Sequence, residues 1–303
     1  MVNVLKGCDD KKIRHSILGV EMGSLITERL KNIDELPPAP KTLSEVLHRL
    51  DDISTSAKTL EEIITQDPVL TAKILKIANS PYYGLSGEVN SISKAVVVLG
   101  IEEIRNLVIG LSVTSSFASD FTIKAFSAND LWLHSVGVGY CAKLLGERCG
   151  DLDKDELFTI GLIHDIGRFL MPIYFSEELD EAIALSEKEG IGLVDGEVRL
   201  GVSHAEIGAF LATLWKFSDM VITVIRYHHN PKGAGEYIRQ ACVIYVADQL
   251  VQKVGDGWDL DYRGGKLFVP KHLGLGAKEI KAVARELKAN IEKVRESWNQ
   301  ILD

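Results

Sequence analysis

Residues 67–81, DPVLTAKILKIANSP, contain a helix with both of its ends specified. Asp67 is an N-cap residue, and Pro68 takes the first helical position, where its missing N–H costs nothing. Val69, Leu70, Ala72, Ile74, Leu75 and Ile77 give a broad apolar face, and Asn79-Ser80-Pro81 stops the helix. Asp67, Asn79 and Ser80 therefore read as helix-end residues rather than chemistry, and Tyr82-Tyr83 as packing or the lining of a groove. The pattern repeats downstream. Ser91 caps the next helix, Ala95–Leu99 is a buried burst, Gly100 sits where left-handed backbone is favoured, and Ile104, Leu107, Val108 and Leu111 continue as another helix. Period-two runs flanked by hairpin dipeptides are nearly missing. The fold class expected is all-α.

A Ser- and Thr-rich stretch, 115–127, separates two halves, and the boundary is placed near residue 125. Helices are expected over Leu131–Leu145, Glu156–Leu170, Ser203–Trp215, Met220–Tyr227 and Arg239–Val251. Gly255–Pro270 is a turn-rich excursion. A final amphipathic segment, with Ile280, Val283, Leu287, Ile291, Val294, Trp298 and Ile301 at helical spacing, reads as a helix docking on the core, with partner binding as the alternative. The divisions expected are 1–125, 126–252 and 253–303.

The chain has 303 residues, room for one large or two modest domains, with 46% apolar and 25% charged residues. Lys and Arg total 34 against 43 Asp and Glu, a formal charge of −9, which argues against general nucleic-acid binding. Glu102 and Glu103, opening the helix after Gly100, argue the same way at the one place with a helix–turn–helix rhythm. Cys8, Cys141, Cys149 and Cys242 form no C-x-x-C pair, which suits a reducing cytoplasm. No apolar run has the length of a secretory leader or a membrane span.

Of eight histidines, His15, His48 and His272 stand alone in polar surroundings and read as surface residues. The other five, His134, His164, His204, His228 and His229, fall in the second half together with Asp165 and Asp248. Five imidazoles and two carboxylates on facing helices can supply ligands for one or two divalent metals. On a helix His164 and Asp165 would point about 100° apart, so a ligand must lie in the wedge between them, and an aspartate there can bridge two ions. His228-His229 repeats the pairing at a helix end. With no cysteine in the set, iron, manganese, magnesium or a mixed site is favoured over structural zinc. Arg168, three residues after Asp165, can border the same pocket and offers planar donors to a phosphate.

LPPAP at 36–40, EEIITQDPVLTAKILKIANSPYYG at 61–84 and SISKAVVVLGIEEIRNLVIGLSV at 91–113 resemble the HDOD (HD-related output) domain of bacterial signalling proteins. LWLHSVGVGYCAKLL at 131–145, GLIHDIGRFLM at 161–171, SHAEIGAFLATLW at 203–215, IRYHHNP at 225–231 and ACVIYVADQL at 241–250 continue the resemblance. It implies an HD-domain-like helix bundle with an N-terminal helical subdomain. The second half is also similar to the wider HD phosphohydrolases and their HD-GYP phosphodiesterases, whose ligands run H…HD…H…HH…D. That order is filled by His134, His164 and Asp165, His204, His228 and His229, and Asp248. Many HDOD proteins lack several of these positions. The resemblance implies Asp165 bridging two ions, with His134, His164 and Asp248 on the first and His204, His228 and His229 on the second.

Two departures bear on catalysis. Arg168 stands where the HD-GYP enzymes carry a phosphate-binding lysine, and the GYP tripeptide is absent, NPKGAGEYIRQ following His228-His229. The reading that follows is a signalling output or scaffold protein with a retained site for two divalent ions, iron or manganese favoured, and partner proteins acting in trans. Its alternatives are a metal-dependent phosphohydrolase on a nucleotide or other phosphate ester, with Asp165 and Arg168 as its catalytic residues, and a non-enzymatic nucleotide receptor. No membrane contact is expected, and nucleic acid is disfavoured.

Overall fold

A computed structural model of the chain describes residues 28–30, 33, 36–50, 56–85, 87–117, 125–254, 261 and 267–299. Cys8, His15, Ile301, the centre of the Ser- and Thr-rich stretch and most of the Gly255–Pro270 excursion lie outside the described residues. Every regular element described is a helix, as the capping signals predict.

The first half contributes α1 (Lys41–Leu50), α2 (Ala57–Ile64), α3 (Pro68–Ala78), α4 (Ile92–Leu99) and α5 (Ile101–Ser116). The Asp67 carboxylate accepts from Leu70 N at 3.0 Å, and the Ser56 and Ser91 side chains cap α2 and α4 in the same way. Caps of this kind contribute about 1 kcal/mol each. Asn79 ends α3 and also clamps the following loop, its amide donating to Val89 O and accepting from Val89 N, both at 2.7 Å. The expectation that Ala95–Leu99 is buried throughout needs correction. Ala95 and Val96 are buried, but Val97 is 81% and Val98 42% exposed. A short helix at 3.6 residues per turn turns residues 92, 95 and 96 inward, and that places 97 and 98 outside.

The second half consists of α6 (Ala128–Cys149), α7 (Lys154–Ile163), α8 (Ile166–Tyr174), α9 (Ser176–Glu189), α10 (Leu193–Leu200), α11 (His204–Leu214), α12 (Asp219–Tyr227), α13 (Ile238–Val254) and α14 (Ala277–Asn299). Short 3₁₀ turns cover Pro231–Tyr237 and Lys271–Leu273. α6 runs through the middle, packed against α7, α13 and α14, while α5 leans on α7 and ties the first half to the second. α14 docks on the core as expected, burying Ile280, Val283, Leu287, Ile291, Val294 and Trp298, the last edge-on to Trp132 at 5.6 Å.

Two close crossings set the positions of the helices around the second-half core. At α6–α7 a Cβ on Gly161 would lie 2.8 Å from Gly139 Cα. At α8–α11 a Cβ on Gly167 would lie 2.0 Å from His204 O. Only glycine permits backbones this near one another. The single helix expected over Glu156–Leu170 is instead two, α7 and α8, broken at His164-Asp165. No helix described is long and apolar enough to cross a membrane.

Candidate metal centre

The break between α7 and α8 is what positions the aspartate. Asp165 takes the N-cap place of α8 (φ −98°, ψ 19°) but its side chain caps nothing, so the carboxylate turns inward. The partial positive charge of the helix N-terminus favours the ionised carboxylate there. The wedge expected between two helical neighbours is thus replaced by a turn, which frees both side chains from helical geometry.

The structure brings all seven candidate ligands together. His134 arrives on α6, His204 is the first residue of α11, His228 and His229 follow the end of α12, and Asp248 comes from α13. Potential ligand atoms of Asp165, His204, His228 and His229 lie within 4.8 Å of one another, as do those of His134, His164 and Asp165. Asp165 belongs to both groups. A third group contains His229, Asp248 and Asp261. Asp248 Oδ1 is also 3.2 Å from His134 Nε2.

The imidazole rings are oriented by their Nδ1 atoms. His164 Nδ1 lies 2.8 Å from Gly161 O and His228 Nδ1 2.6 Å from Ile225 O, distances at which Nδ1–H donates to the carbonyl. His204 Nδ1 lies 2.5 Å from Glu197 Oε2. Each arrangement leaves Nε2 facing the others, the geometry a second shell gives to metal-binding histidines. His204 Nε2 is 3.1 Å from Asp165 Oδ1, 3.3 Å from His228 Nε2 and 3.0 Å from His229 Nε2.

The set is buried except for His229, which is half-buried. His134, His164, Asp165, Arg168, Glu197, His204, His228 and Asp248 are each at most 1% exposed. Burial holds the His164 pKa down at about 4, with the neighbouring His228 and His134 helping and Asp165 and Asp248 opposing. His229 is driven well below its ordinary value by burial and by His228 and His204. In His204 burial and Arg168 favour the neutral ring, but Glu197 and Asp165 outweigh them and raise its pKa to about 9. Burial works against ionisation of Asp165, yet His164, Arg168 and His204 keep it well below the usual carboxylate range.

The donor chemistry fits divalent cations. His164 Nε2, both Asp165 carboxylate oxygens and Asp248 Oδ2 are buried and make no well-formed hydrogen bond. Unpaired polar atoms at that depth cost about 1–3 kcal/mol each, and more for charged groups. Convergence on one region is what cation ligands require.

Arg168 lies at the edge of the set, fully buried, with Nε 3.3 Å from Asp165 Oδ2. Its other nitrogens are committed: one donates to Glu197 Oε1 at 2.9 Å and the other to Asp261 Oδ1. Glu197 and Asp261 were not among the sequence candidates. Glu197 lies on α10, amid the polar run VDGEVRL, where only a buried glutamate seven residues before a candidate histidine would have marked it. Asp261, 4% exposed, comes from the turn-rich excursion and carries no motif. Burial raises the Asp261 pKa to about 6, with Asp165 and Asp248 adding to the effect and Arg168 opposing it. His48 and His272 are exposed, as surface residues should be.

Comparison with known proteins agrees with this architecture. A protein of unknown function from Geobacter sulfurreducens with an HDOD domain superposes with a TM-score of 0.76, at 26% identity over 96% of this chain and 98% of that one. A candidate phosphohydrolase from Shewanella amazonensis SB2B superposes with a TM-score of 0.70, at 28% identity over 90% and 97% of the two chains. An uncharacterised protein of Treponema pallidum (strain Nichols) is 29% identical over 224 residues, and this chain spans 43% of its length. The HDOD domain family matches residues 36–231, and with the all-helical fold this places the chain in the HDOD family.

Proposed function

We propose that this chain is a signal-transduction protein of the cytoplasm whose second half holds two divalent cations and which passes its state to partner proteins in trans. One observation supports the metal centre above all: imidazole nitrogens and carboxylate oxygens from five different helices and turns converge around Asp165, and His164 Nε2, Asp248 Oδ2 and the Asp165 oxygens among them make no well-formed hydrogen bond. Asp165 would be shared by both ions. His134 and His164, with Asp248 adjoining His134, would hold one, and His204, His228 and His229 the other. The absence of sulfur favours iron or manganese. The closure of the centre favours a regulatory role over open turnover.

A second reading, a metal-dependent phosphohydrolase, is favoured by Arg168 beside Asp165 and by the name of the Shewanella neighbour. Two ions, once bound, would supply Lewis acidity and a water activated near neutral pH. The chain's own residues supply the rest. Glu197 fixes the His204 ring, the carbonyls of Gly161 and Ile225 fix His164 and His228, and Arg168 offers planar donors to a phosphoryl group. The missing GYP segment makes cyclic di-GMP a poor substrate.

Elemental analysis of protein purified without chelator tests the centre. About two divalent ions per chain are expected. Asp165→Ala should remove both, and His204→Ala mainly one. Wild-type protein that holds no metal even after refolding with iron or manganese would overturn the metal reading. A phosphodiesterase screen of the loaded protein separates the regulatory reading from the enzymatic one.

A further inference from the structure

Arg168 is the group best suited to an anionic ligand, and carboxylates already surround it. Asp165 and Glu197 each have a second task there. Asp165 joins the two donor groups, and Glu197 holds the His204 ring. Asp261 belongs to the third donor group, with His229 and Asp248, rather than to the two that share Asp165. It belongs to no helix and is delivered from the chain between α13 and the 271–273 turn. One of its oxygens takes a donor of Arg168, and the other accepts from Gln252 Nε2 at 3.3 Å. Its carboxylate also lies within 4.8 Å of ligand atoms of His229 and Asp248. An oxyanion thus sits with one oxygen on the guanidinium and within reach of the donor atoms. A guanidinium presents the same fork of donors to a phosphate as to a carboxylate.

Charge balance points the same way. Asp165, Glu197, Asp248 and Asp261 are four buried carboxylates around one buried guanidinium. Such a set is costly without added cations. Once two divalent ions are present the set carries net positive charge, so a negative charge is needed where Asp261 stands, and a phosphate oxyanion can supply it in place of the carboxylate.

We propose that Asp261 is an internal stand-in for a phosphate oxyanion: it occupies the place on Arg168 that a phosphoryl group of the ligand takes, and keeps the centre closed until that group displaces it. This rests on the two-ion reading above, and it names the ligand class as a phosphate ester or free phosphate rather than a neutral or cationic molecule.

The test compares wild-type protein with Asp261→Asn, which keeps the shape, Asp261→Ala, which empties the position, and Asp261→Glu, which keeps the charge. Each full-length, manganese-treated protein is analysed for metal and titrated calorimetrically with inorganic phosphate. With metal content unchanged, the Asn and Ala variants should bind phosphate at least about tenfold more tightly than wild type, and the Glu variant should not. Unchanged or weaker phosphate binding with metal intact overturns the proposal and makes Asp261 a buttress of Arg168. Loss of an ion from the Asn variant also overturns it, by making Asp261 a ligand. If no protein in the series holds metal, the two-ion reading falls separately. The same phosphate titrations then still decide the role of Asp261, a gain supporting it and no gain overturning it.

Discussion

At the scale of single residues, two buried histidines respond to acid in opposite senses. His164 has a pKa near 4 and His204 one near 9 in the metal-free protein, against 6.5 for an unperturbed ring. Between pH 4 and 6.5 the unfolded chain binds a proton that native His164 refuses, so stability falls as pH falls through that window. Between pH 6.5 and 9 native His204 holds a proton that the unfolded chain has lost. Its contribution is complete below pH 6.5 and disappears as pH rises through 9. Shifts of this size correspond to about 3 kcal/mol each. Chelator-treated protein should therefore melt highest near pH 6 to 7, as thermal melts across pH 4 to 10 would show. His204→Gln should flatten the alkaline limb and keep the acid limb. A wild-type optimum above pH 8 would contradict the assignment.

At the scale of elements, the centre depends on how closely α8 and α11 approach. Gly167 faces the carbonyl of His204, the residue that opens α11 and aims at Asp165. Gly167→Ala puts a methyl group where there is no room. Overpacking of this kind costs typically 1–3 kcal/mol, and the upper end is expected because the obstacle is backbone. Urea unfolding should show a loss of about 3 kcal/mol. Metal analysis should show the ion proposed for His204 depleted. A variant as stable and as metal-rich as wild type would mean that the two helices can part without consequence. The exposed Val97 is the counter-case: Val97→Ser should stay within about 0.5 kcal/mol of wild type, since the side chain meets no core atoms.

At the scale of the whole molecule, the C-terminal helix and the candidate metal centre share one core. α14 packs on α6, the helix that carries His134, and Leu287 on α14 is fully buried. Leu287→Ala should cost about 3 kcal/mol through the lost transfer energy and the cavity left behind. Because Trp132 and Trp298 meet across that contact, near-ultraviolet dichroism and metal release should move together along a denaturation curve. Metal release that precedes the tryptophan signal by a wide margin would show the centre unfolding independently of α14.

The all-helical fold could be read along the chain because its signals are local. Asp67 and Ser91 cap the helices expected of them, and the spacing from Ile280 to Trp298 marks the docking face of α14. The seven residues that the structure brings together were equally legible, since histidine and aspartate report their chemistry by type, and HD-like spacing ordered them. Local signals could not show the break at His164-Asp165, because the apolar run from Glu156 to Leu170 is as consistent with one helix as with two. Nor could they show that Val97 and Val98 face outward, which follows from the face α4 must bury. Glu197 and Asp261 were invisible for a different reason. A carboxylate in a polar run looks like any solvated acid, and only the tertiary structure, by burying both against Arg168 and, for Glu197, His204, turns them into parts of the centre. Secondary structure and ligand chemistry are written in neighbouring residues. The closure of the centre, and the choice of acids that guard its arginine, arise from contacts between segments far apart in the chain, which a linear reading does not contain.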